Sequence, residues 1–254
     1  MSLRVWSSAL GAGALDLVFA PICAGCGVPV PTAHPERLVC ALCRARLRPI
    51  PTPHCPRCWA PLPISGEACP GCAEIPPAVR AVRSAVFLEE RARSLLHALK
   101  YRGWSALAAP LAARMAELPL PIDVMEEAEI VVAVPTSRVR LRERGYNQAA
   151  LLASSYALRT GRRAEPGLLV RGGSAGTQTS LHPDERRANV AHAFSVPPPR
   201  RAELAGAHLL LVDDVWTTGA TALACAHALL EAGARVVSVV TFARVLPELE
   251  CLRG

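Results

Sequence analysis

The stretch LLLVDDVWTTGAT, residues 209–221, joins an apolar run to an acidic pair and then to a small polar loop. The apolar run is typical of a strand buried on both faces, as strands are in parallel sheets. Asp213 and Asp214 stand where such a strand leaves the core, and the Thr-Thr-Gly that follows is too small to build one. Packing alone does not explain this stretch, so it predicts a ligand site at the carboxyl end of a strand.

The loop after the two aspartates has the composition of a phosphate-binding turn at a helix N-terminus. The first N–H groups of a helix lack intrahelical partners, and the helix dipole favours an anion beside them. Gly219 allows close approach of a phosphate, while the two carboxylates suit the hydroxyls of a ribose, directly or around Mg²⁺. An ordinary strand-turn-helix with a Thr cap explains the Thr and Gly but not the paired Asp. The stretch therefore predicts a ribose 5-phosphate site.

Apolar, β-branched runs alternate with helical patterns over the later part of the chain. Strands are predicted at Ser84–Glu90, Glu129–Pro135, His208–Asp214 and Arg235–Arg244. Helices are predicted at Arg91–Leu99, Ala106–Glu117, Asn147–Leu158 and Thr221–Glu231. Strands that alternate with helices predict an α/β fold with a parallel sheet and right-handed crossovers.

The composition is that of a globular protein. Of 254 residues, 51% are hydrophobic and 19% are charged, which excludes a disordered chain. The net charge of +7 favours polyanionic partners without specifying a fold. Asp16 interrupts the apolar N-terminal stretch, which is too short to span a membrane. We therefore predict a short amphipathic helix there, and no membrane span.

Eight of the ten cysteines form four C-x-x-C pairs. The pairs are Cys23/Cys26, Cys40/Cys43, Cys55/Cys58 and Cys69/Cys72. Two such pairs complete a tetrahedral Zn²⁺ site, so the spacing predicts two structural zinc ions and a reducing, cytoplasmic setting. Pairing in chain order assigns the first four cysteines to one ion and the last four to the other. An interleaved pairing uses the same spacings and stays open.

Taken together, these features resemble the ComF family, the ComFC-type competence proteins. In that family a cysteine-rich zinc-ribbon region precedes a domain like the type I phosphoribosyltransferases. The family's landmarks recur in order as APICAGCG (20–27), LHALKYRG (96–103), VPTSRVRLRERGYNQAALLA (134–153), TQTSLHPDERRANVAHAF (177–194) and LLLVDDVWTTGAT. The last of these is similar to the motif that binds phosphoribosyl pyrophosphate (PRPP), and the resemblance covers nearly the whole chain.

The resemblance implies an α/β fold with a type I phosphoribosyltransferase-like parallel sheet of five strands flanked by helices. It also implies an N-terminal double zinc-ribbon module. We expect residues 1–76 to hold the N-terminal helix and double ribbon, and residues 77–254 to form the phosphoribosyltransferase-like domain. PRPP and Mg²⁺ are implied at the carboxyl edge of the sheet.

Carried over by position, the family's PRPP motif assigns roles to seven residues of this chain. Asp213 and Asp214 would contact the ribose hydroxyls. The residues that would hold the 5′-phosphate are Thr217, Thr218, Gly219, Ala220 and Thr221. Trp216 stands where a smaller apolar residue is usual, and it could pack on the sugar or on the protein.

The same resemblance points to two further segments around the ligand. Thr136, Ser137 and Arg138 lie where such folds hold pyrophosphate, although Thr136-Ser137 departs from the apolar and His-like residues common there. Gln178–Arg187 would form a mobile flap.

Arg138, Arg140, Arg142 and Arg144 occupy alternate positions. If the segment is extended, all four charges share a face; if it is helical, 138/142 and 140/144 form two stacks. Arg140, Arg142 and Arg144 are candidates to grip pyrophosphate or the backbone of single-stranded DNA. A solvated surface face is the ordinary alternative, and an aromatic content of 4% leaves little for base stacking.

Two functions follow as hypotheses. The first is a zinc-containing, PRPP-binding ComF-type protein that acts in natural transformation on incoming single-stranded DNA, with DNA-uptake and recombination proteins as partners. The second is an active phosphoribosyltransferase that transfers phosphoribosyl from PRPP to an unidentified acceptor and releases pyrophosphate. Mg²⁺ and arginines would stabilise that leaving group. A zinc-ribbon adaptor without ligand binding disagrees with the intact Asp-Asp-x-x-Thr-Thr-Gly.

Overall fold

The computed structural model describes residues 21–30, 38–62, 69–172 and 193–246. The predicted N-terminal helix and the predicted flap at Gln178–Arg187 lie outside these residues. Within them, no helix has both the length and the apolar character needed to cross a membrane.

The described residues form seven strands, seven α-helices and three 3₁₀ turns. The strands are β1 (Val79–Phe87), β2 (Ile130–Ala133), β3 (Arg163–Ala164), β4 (Val170–Arg171), β5 (Phe194–Ser195), β6 (His208–Trp216) and β7 (Val236–Arg244). The α-helices are α1 (Ala41–Ala45), α2 (Glu90–Tyr101), α3 (Ala108–Ala116), α4 (Ile122–Glu127), α5 (Arg138–Arg144), α6 (Gln148–Thr160) and α7 (Ala220–Glu231). The 3₁₀ turns are Pro70–Cys72, Ser105–Leu107 and Pro198–Leu204.

The main sheet has five strands in the order β1-β7-β6-β2-β3, and every pair in it is parallel. Strands β4 and β5 form a separate antiparallel pair. Because the strands run the same way, the loops that follow β1, β2, β6 and β7 all leave from one edge of the sheet. That edge is where parallel α/β sheets place their ligands.

Both faces of the sheet are covered, and side chains of β6 alternate between two cores. Leu210 and Val212 pack with α2, α3 and α6 in the first core. Leu209 and Leu211 pack with α7 in the second core. This alternation follows from the two-residue repeat of a strand, and coverage of both faces explains why the strands are almost wholly apolar. The predicted parallel sheet flanked by helices is confirmed.

The strand bounds differ most from the prediction in β1 and β6. Strand β1 ends at Phe87, since Glu90 begins α2, and β2 is shorter than predicted, at Ile130–Ala133. Strand β6 continues past the aspartates to Trp216, since Trp216 pairs with Arg244 at the end of β7. Strand β1 begins at Val79, which pairs with Val237. Both extensions come from ladder partners distant in sequence, which the local pattern does not reveal.

The four C-x-x-C pairs form two modules that pack on different parts of this fold. Cys23 and Cys43 belong to the first core, beside α2, where Arg91 Nη1 donates to the Gly25 carbonyl at 3.2 Å. Cys55 and Cys58 belong to the second core, beside Trp216. Each hydrophobic core is therefore extended by a different module, the first core by the first module and the second core by the second.

Candidate functional site

The paired aspartates lie near the end of β6, at the carboxyl edge of the sheet. Asp214 is buried, with 5% of its surface exposed, and its Oδ2 lies 2.5 Å from Lys100 Nζ at the end of α2. Asp213 keeps part of its surface open to the cleft, and its Oδ1 accepts the Asp214 N–H at 2.8 Å. Burial raises the pKa of Asp213, and the neighbouring Asp214 carboxylate raises it further. The pair thus carries one carboxylate neutralised by lysine and one that faces the cleft.

The loop after β6 is shaped by Gly219, which forms the N-cap of α7 with a φ of +83°. Only glycine adopts this left-handed conformation without strain. A Cβ at this position would lie 2.3 Å from Trp216 Cζ2, so the indole ring passes directly beneath the glycine. Trp216 is 4% exposed, which means that it packs on the protein and supports the loop from below.

The segment after β2 turns into the short helix α5. Ser137 is its N-cap, and the Ser137 hydroxyl accepts the Arg140 N–H at 3.3 Å. The segment is therefore helical, and of its four arginines Arg140 and Arg144 line the cleft. Arg138 is exposed on the first turn of the helix.

The Arg-Gly-Tyr-Asn-Gln sequence that follows fixes this helix against its neighbours. Gly145 ends α5 with a φ of +78°, and Tyr146 donates to the Leu99 carbonyl at 2.5 Å. Asn147 caps α6 by accepting the Ala149 N–H at 3.1 Å, and its Nδ2 donates to the Val134 carbonyl at 3.0 Å. The motif is thus a set of turns and caps that positions α5.

Arg144 is held by three contacts at the mouth of the cleft. Its Nη1 donates to Gln148 Oε1 at 2.8 Å, and its Nη2 donates to the Tyr101 hydroxyl at 3.1 Å. The guanidinium also stacks 4.7 Å from the centre of the Tyr101 ring. Its Nε is buried and has no hydrogen-bond partner among the described residues. A guanidinium held in this way is preorganised for an anion.

These elements enclose a polar cleft of about 270 Å³. The basic side chains that line it are Lys100, Arg140, Arg144 and Arg171. Its acidic side chains are Asp213 and Asp214, and Thr136, Thr217 and Thr221 also line it. The cleft therefore sets cations from several elements against two carboxylates and a helix N-terminus.

The structure divides the predicted site residues between this cleft and its surroundings. Thr218 lines a second hollow on the other side of the loop, and Thr217 lines both hollows. Gly219 and Ala220 shape the turn. Ser137 caps α5, and Arg142 is exposed.

Sequence reasoning did not assign four polar lining residues to the site, namely Lys100, Tyr101, Gln148 and Arg171. The first two carried a signal, since Lys100 is the only lysine in the chain and both lie in LHALKYRG. Gln148 follows a capping Asn, and Arg171 comes from a two-residue strand, so neither has a local pattern that indicates a ligand site.

The eight C-x-x-C cysteines form two clusters in chain order, and within each cluster the four sulfurs lie within 4.8 Å of one another. The first cluster is Cys23, Cys26, Cys40 and Cys43, and the second is Cys55, Cys58, Cys69 and Cys72. Sulfur–sulfur distances are 3.8 Å between Cys26 and Cys40 and 3.5 Å between Cys58 and Cys69. Zn–S bonds of about 2.3 Å in a tetrahedron place sulfurs about 3.8 Å apart. Both clusters fit a structural zinc ion.

Backbone N–H groups point at the sulfurs of the first cluster. Gly25 N and Cys40 N lie 3.4 and 3.3 Å from Cys23 Sγ, and Cys43 N lies 3.4 Å from Cys40 Sγ. Such N–H groups stabilise thiolates and orient them towards a metal. The clusters thus have the donor set and the outer contacts of closed Cys₄ sites.

The sequence matches known proteins over both parts of this structure. Residues 14–77 match the double zinc ribbon domain. The DNA utilization protein YhgH of Salmonella typhi is 30% identical over 235 residues, covering 89% of this chain and 97% of that protein. The competence protein ComFC of Bacillus subtilis (strain 168) is 26% identical and covers 82% of this chain and 84% of that protein.

The chain belongs to the ComF family. This agrees with the family identified from the sequence motifs, and the ComF-type arrangement of a double zinc ribbon before a parallel α/β domain is confirmed. Among solved structures, the orotate phosphoribosyltransferase of Aeropyrum pernix matches with 18% identity and a TM-score of 0.32. That match covers 63% of this ComF chain and 81% of the orotate enzyme.

Proposed function

We propose that the cleft binds PRPP together with Mg²⁺. The observation that carries the proposal is that four basic side chains, two carboxylates and the N-terminus of α7 face one another in a single cleft. Asp213 and Asp214 would contact the ribose hydroxyls, and the loop from Thr217 to Thr221 would hold the 5′-phosphate. A ligand with a sugar and separated phosphates matches this division of charge better than a single anion does.

The pyrophosphate would meet the basic side of the cleft. Arg140 and Arg144 lie one helical turn apart on α5, so both guanidinium groups can reach one anion. Gln148 and Tyr101 hold the Arg144 guanidinium at the mouth of the cleft, so its charge is positioned there before an anion binds. Lys100 would add a third cation while it neutralises Asp214.

The carboxylates at this edge also fit a magnesium ion, since oxygen ligands are those that Mg²⁺ prefers. Asp213 is the better placed, because Lys100 already pairs with Asp214. When bound, Mg²⁺ would neutralise charge on the phosphate oxygens. The protein's own contribution is to hold the sugar and to fix the phosphates on arginine and backbone N–H groups.

We infer that this protein acts on incoming single-stranded DNA during natural transformation, with DNA-uptake and recombination proteins as partners. Its relatives are named for DNA utilization and for competence. The net charge of +7 suits a polyanionic partner. A cytoplasmic location and a boundary between domains near residue 76 belong to the same proposal.

A second candidate function is phosphoribosyl transfer. In that reaction the bond between the ribose C1 and a pyrophosphate oxygen breaks, pyrophosphate leaves with the electron pair, and an acceptor atom bonds to C1. Lys100, Arg140 and Arg144 favour this candidate, because cations around a leaving group stabilise its developing charge.

The test is isothermal titration calorimetry with PRPP and Mg²⁺, followed on the same sample by an assay for pyrophosphate release with and without single-stranded DNA. Binding with DNA-dependent release supports an enzyme that acts on, or is gated by, nucleic acid. Binding without release supports a PRPP-responsive transformation factor. The absence of binding would overturn the PRPP assignment.

Variants sharpen this test. Asp213→Asn with Asp214→Asn should abolish PRPP binding while the zinc content stays unchanged. Arg140→Ala with Arg144→Ala should weaken binding about tenfold or more, since each removes a charge-assisted hydrogen bond. Arg138→Ala with Arg142→Ala is the matched control, because neither side chain lines the cleft. If both double variants lose the same PRPP affinity, the assigned pyrophosphate contacts are contradicted.

A further inference from the structure

A second hollow of about 380 Å³ lies between the second Cys₄ module and the loop after β6. We call it the ribbon pocket. On the ribbon side it is lined by Pro51, Pro61, Pro70 and Ile75. On the loop side it is lined by Trp216, Thr217, Thr218 and Leu223. The pocket therefore exists only because the second ribbon packs against this loop.

The walls of the ribbon pocket are mostly apolar, unlike those of the cleft. Proline rings and aliphatic side chains supply flat apolar surface, and the threonine hydroxyls supply hydrogen-bonding groups at one side. Its two charged lining residues are Glu74 and Arg244. Arg244 Nη1 donates to the Cys58 carbonyl at 2.5 Å, and its guanidinium lies 5.5 Å from the centre of the Trp216 ring. With that cation engaged and a carboxylate at the rim, the pocket does not suit a phosphate.

Arginines of the sheet hold the second ribbon through the carbonyls of residues 56–58, which directly precede the lining residues Ala60 and Pro61. Arg83 Nη2 donates to the Pro56 carbonyl at 2.8 Å, and its Nη1 donates to the Arg57 carbonyl at 3.1 Å. Arg244 holds the Cys58 carbonyl from β7. A wall that is fixed before binding loses little conformational freedom on binding, so it is suited to a small rigid ligand.

Thr217 lines both the ribbon pocket and the cleft, so the two hollows are neighbours across one residue. A ligand in the ribbon pocket would lie beside whatever occupies the cleft. An uncharged, planar group with apolar faces and hydrogen-bonding edges matches the pocket's walls, and nucleobases have this chemistry.

We propose that the ribbon pocket binds a nucleobase, either free or carried by single-stranded DNA. The second zinc ribbon would then form one wall of a ligand site, in addition to stabilising its own segment of chain. The part of the inference that makes this base the neighbour of PRPP rests on the proposed function. The proposal that the ribbon pocket binds a base does not depend on PRPP binding in the cleft.

The experiment measures binding by saturation-transfer NMR and calorimetry with the full-length zinc-loaded protein. The probes are adenine, cytosine, a five-nucleotide deoxyadenosine oligomer and an abasic oligomer of the same length. Adenine, cytosine or the deoxyadenosine oligomer should bind, and the abasic oligomer should bind at least about tenfold more weakly than the deoxyadenosine oligomer. Binding of a free base would identify a small-molecule ligand, whereas binding of the oligomer alone would identify a base of DNA.

Two variants fill the pocket from opposite walls. Leu223→Trp narrows it from α7, and Glu74→Trp narrows it from the exposed rim of the ribbon. Each should weaken base binding about tenfold or more while the zinc content is kept. Leu158→Trp, on a position that is 86% exposed in α6, is the matched control and should leave base binding unchanged.

The outcomes separate this inference from the proposed function. Failure of the wild-type protein to bind any base-containing probe overturns the inference, and so does binding that both filling variants leave unchanged. The variant Asp213→Asn with Asp214→Asn should lose PRPP and retain base binding. If wild-type protein binds bases but not PRPP, the proposed function fails and the ribbon pocket stands.

Discussion

The two Cys₄ modules have the same ligand set and nearly the same spacing, yet the fold uses them differently. The first packs on α2, where Arg91 donates to the Gly25 carbonyl. The second is tied to the sheet by Arg83 and Arg244, and Arg244 also lies over Trp216, beneath the predicted phosphate loop. The difference shows that equal zinc motifs in one chain need not have equal consequences for the ligand site.

The largest expected effect comes from loss of one zinc site. Cys43→Ser and Cys58→Ser should each lower the zinc content by one ion per chain and destabilise their own module, since structural zinc contributes about 10 kcal/mol or more to folding in small zinc modules. Only Cys58→Ser should also weaken PRPP binding strongly, because the second module adjoins the loop at Trp216. Elemental analysis, circular dichroism and calorimetry test this; equal PRPP affinity in the two variants would break the comparison.

The next effect concerns the loop that the second module supports. Gly219→Ala should destabilise the protein by about 2–4 kcal/mol, because it combines left-handed strain with overpacking against Trp216. Gly145→Ala is the control, since its φ is also positive, at +78°, but no atom lies within 4 Å of an added Cβ. Gly145→Ala should lower the free energy of unfolding by about 1 kcal/mol. Urea denaturation measures both, and similar costs would show that the Trp216 contact is unimportant.

A smaller effect separates the polar links of the two modules. Arg244→Met leaves the Cys58 carbonyl without its donor, so it should lower the free energy of unfolding by about 1–3 kcal/mol. It should also lower the PRPP affinity severalfold. Arg91→Met removes the link to Gly25 and should cost less, because Arg91 is partly exposed, without any change in PRPP affinity. Calorimetry on both variants decides whether the second module acts on the loop through Arg244.

The smallest effect lies at the amino end of β6, away from both modules. His208 is buried between Ser238 Oγ, at 2.9 Å, and Glu127 Oε2, at 3.3 Å, and burial lowers its pKa despite the nearby carboxylate. The unfolded chain therefore binds a proton more readily than the folded one, so the free energy of unfolding should fall as the pH drops through the ordinary pKa of histidine, about 6.5.

Denaturation between pH 7.5 and 5.5 measures this slope, which His208→Gln should flatten. His227→Gln is the control, since the His227 side chain is 55% exposed. An unchanged slope in His208→Gln would show that this histidine does not set the pH dependence. PRPP affinity should stay the same in both variants, because His208 lies at the opposite end of the strand from Asp213.

Much of the fold could be predicted from sequence, because its signals are local. A strand buried on both faces is apolar along its length, independently of which strands it pairs with. The β6 and β7 segments were therefore located within a few residues. Their ends were not, because Trp216 joins β6 only through its partner Arg244 on a neighbouring strand. The register of a sheet depends on contacts between distant segments.

The candidate site divides in the same way. The Asp-Asp and Thr-Thr-Gly stretch indicated a ligand at a strand end, since its residue types do not suit a core. Sequence did not show that Lys100 pairs with Asp214. It predicted the 138/142 and 140/144 pairs only for a helical segment, and it left open both the helix and which pair would face the cleft. These facts depend on the direction in which each helix leaves the common edge of the sheet.

The sequence by itself determined the residue chemistry of this protein: four C-x-x-C pairs, a parallel α/β pattern, and an acidic pair before a phosphate-type turn. The tertiary structure decided which groups meet. It brought the cations of α2 and α5 to the end of β6, and it placed the second zinc ribbon, but not the first, against the loop at Trp216. Local spacing sets what a segment can bind, whereas the packing of distant segments sets what stands beside it.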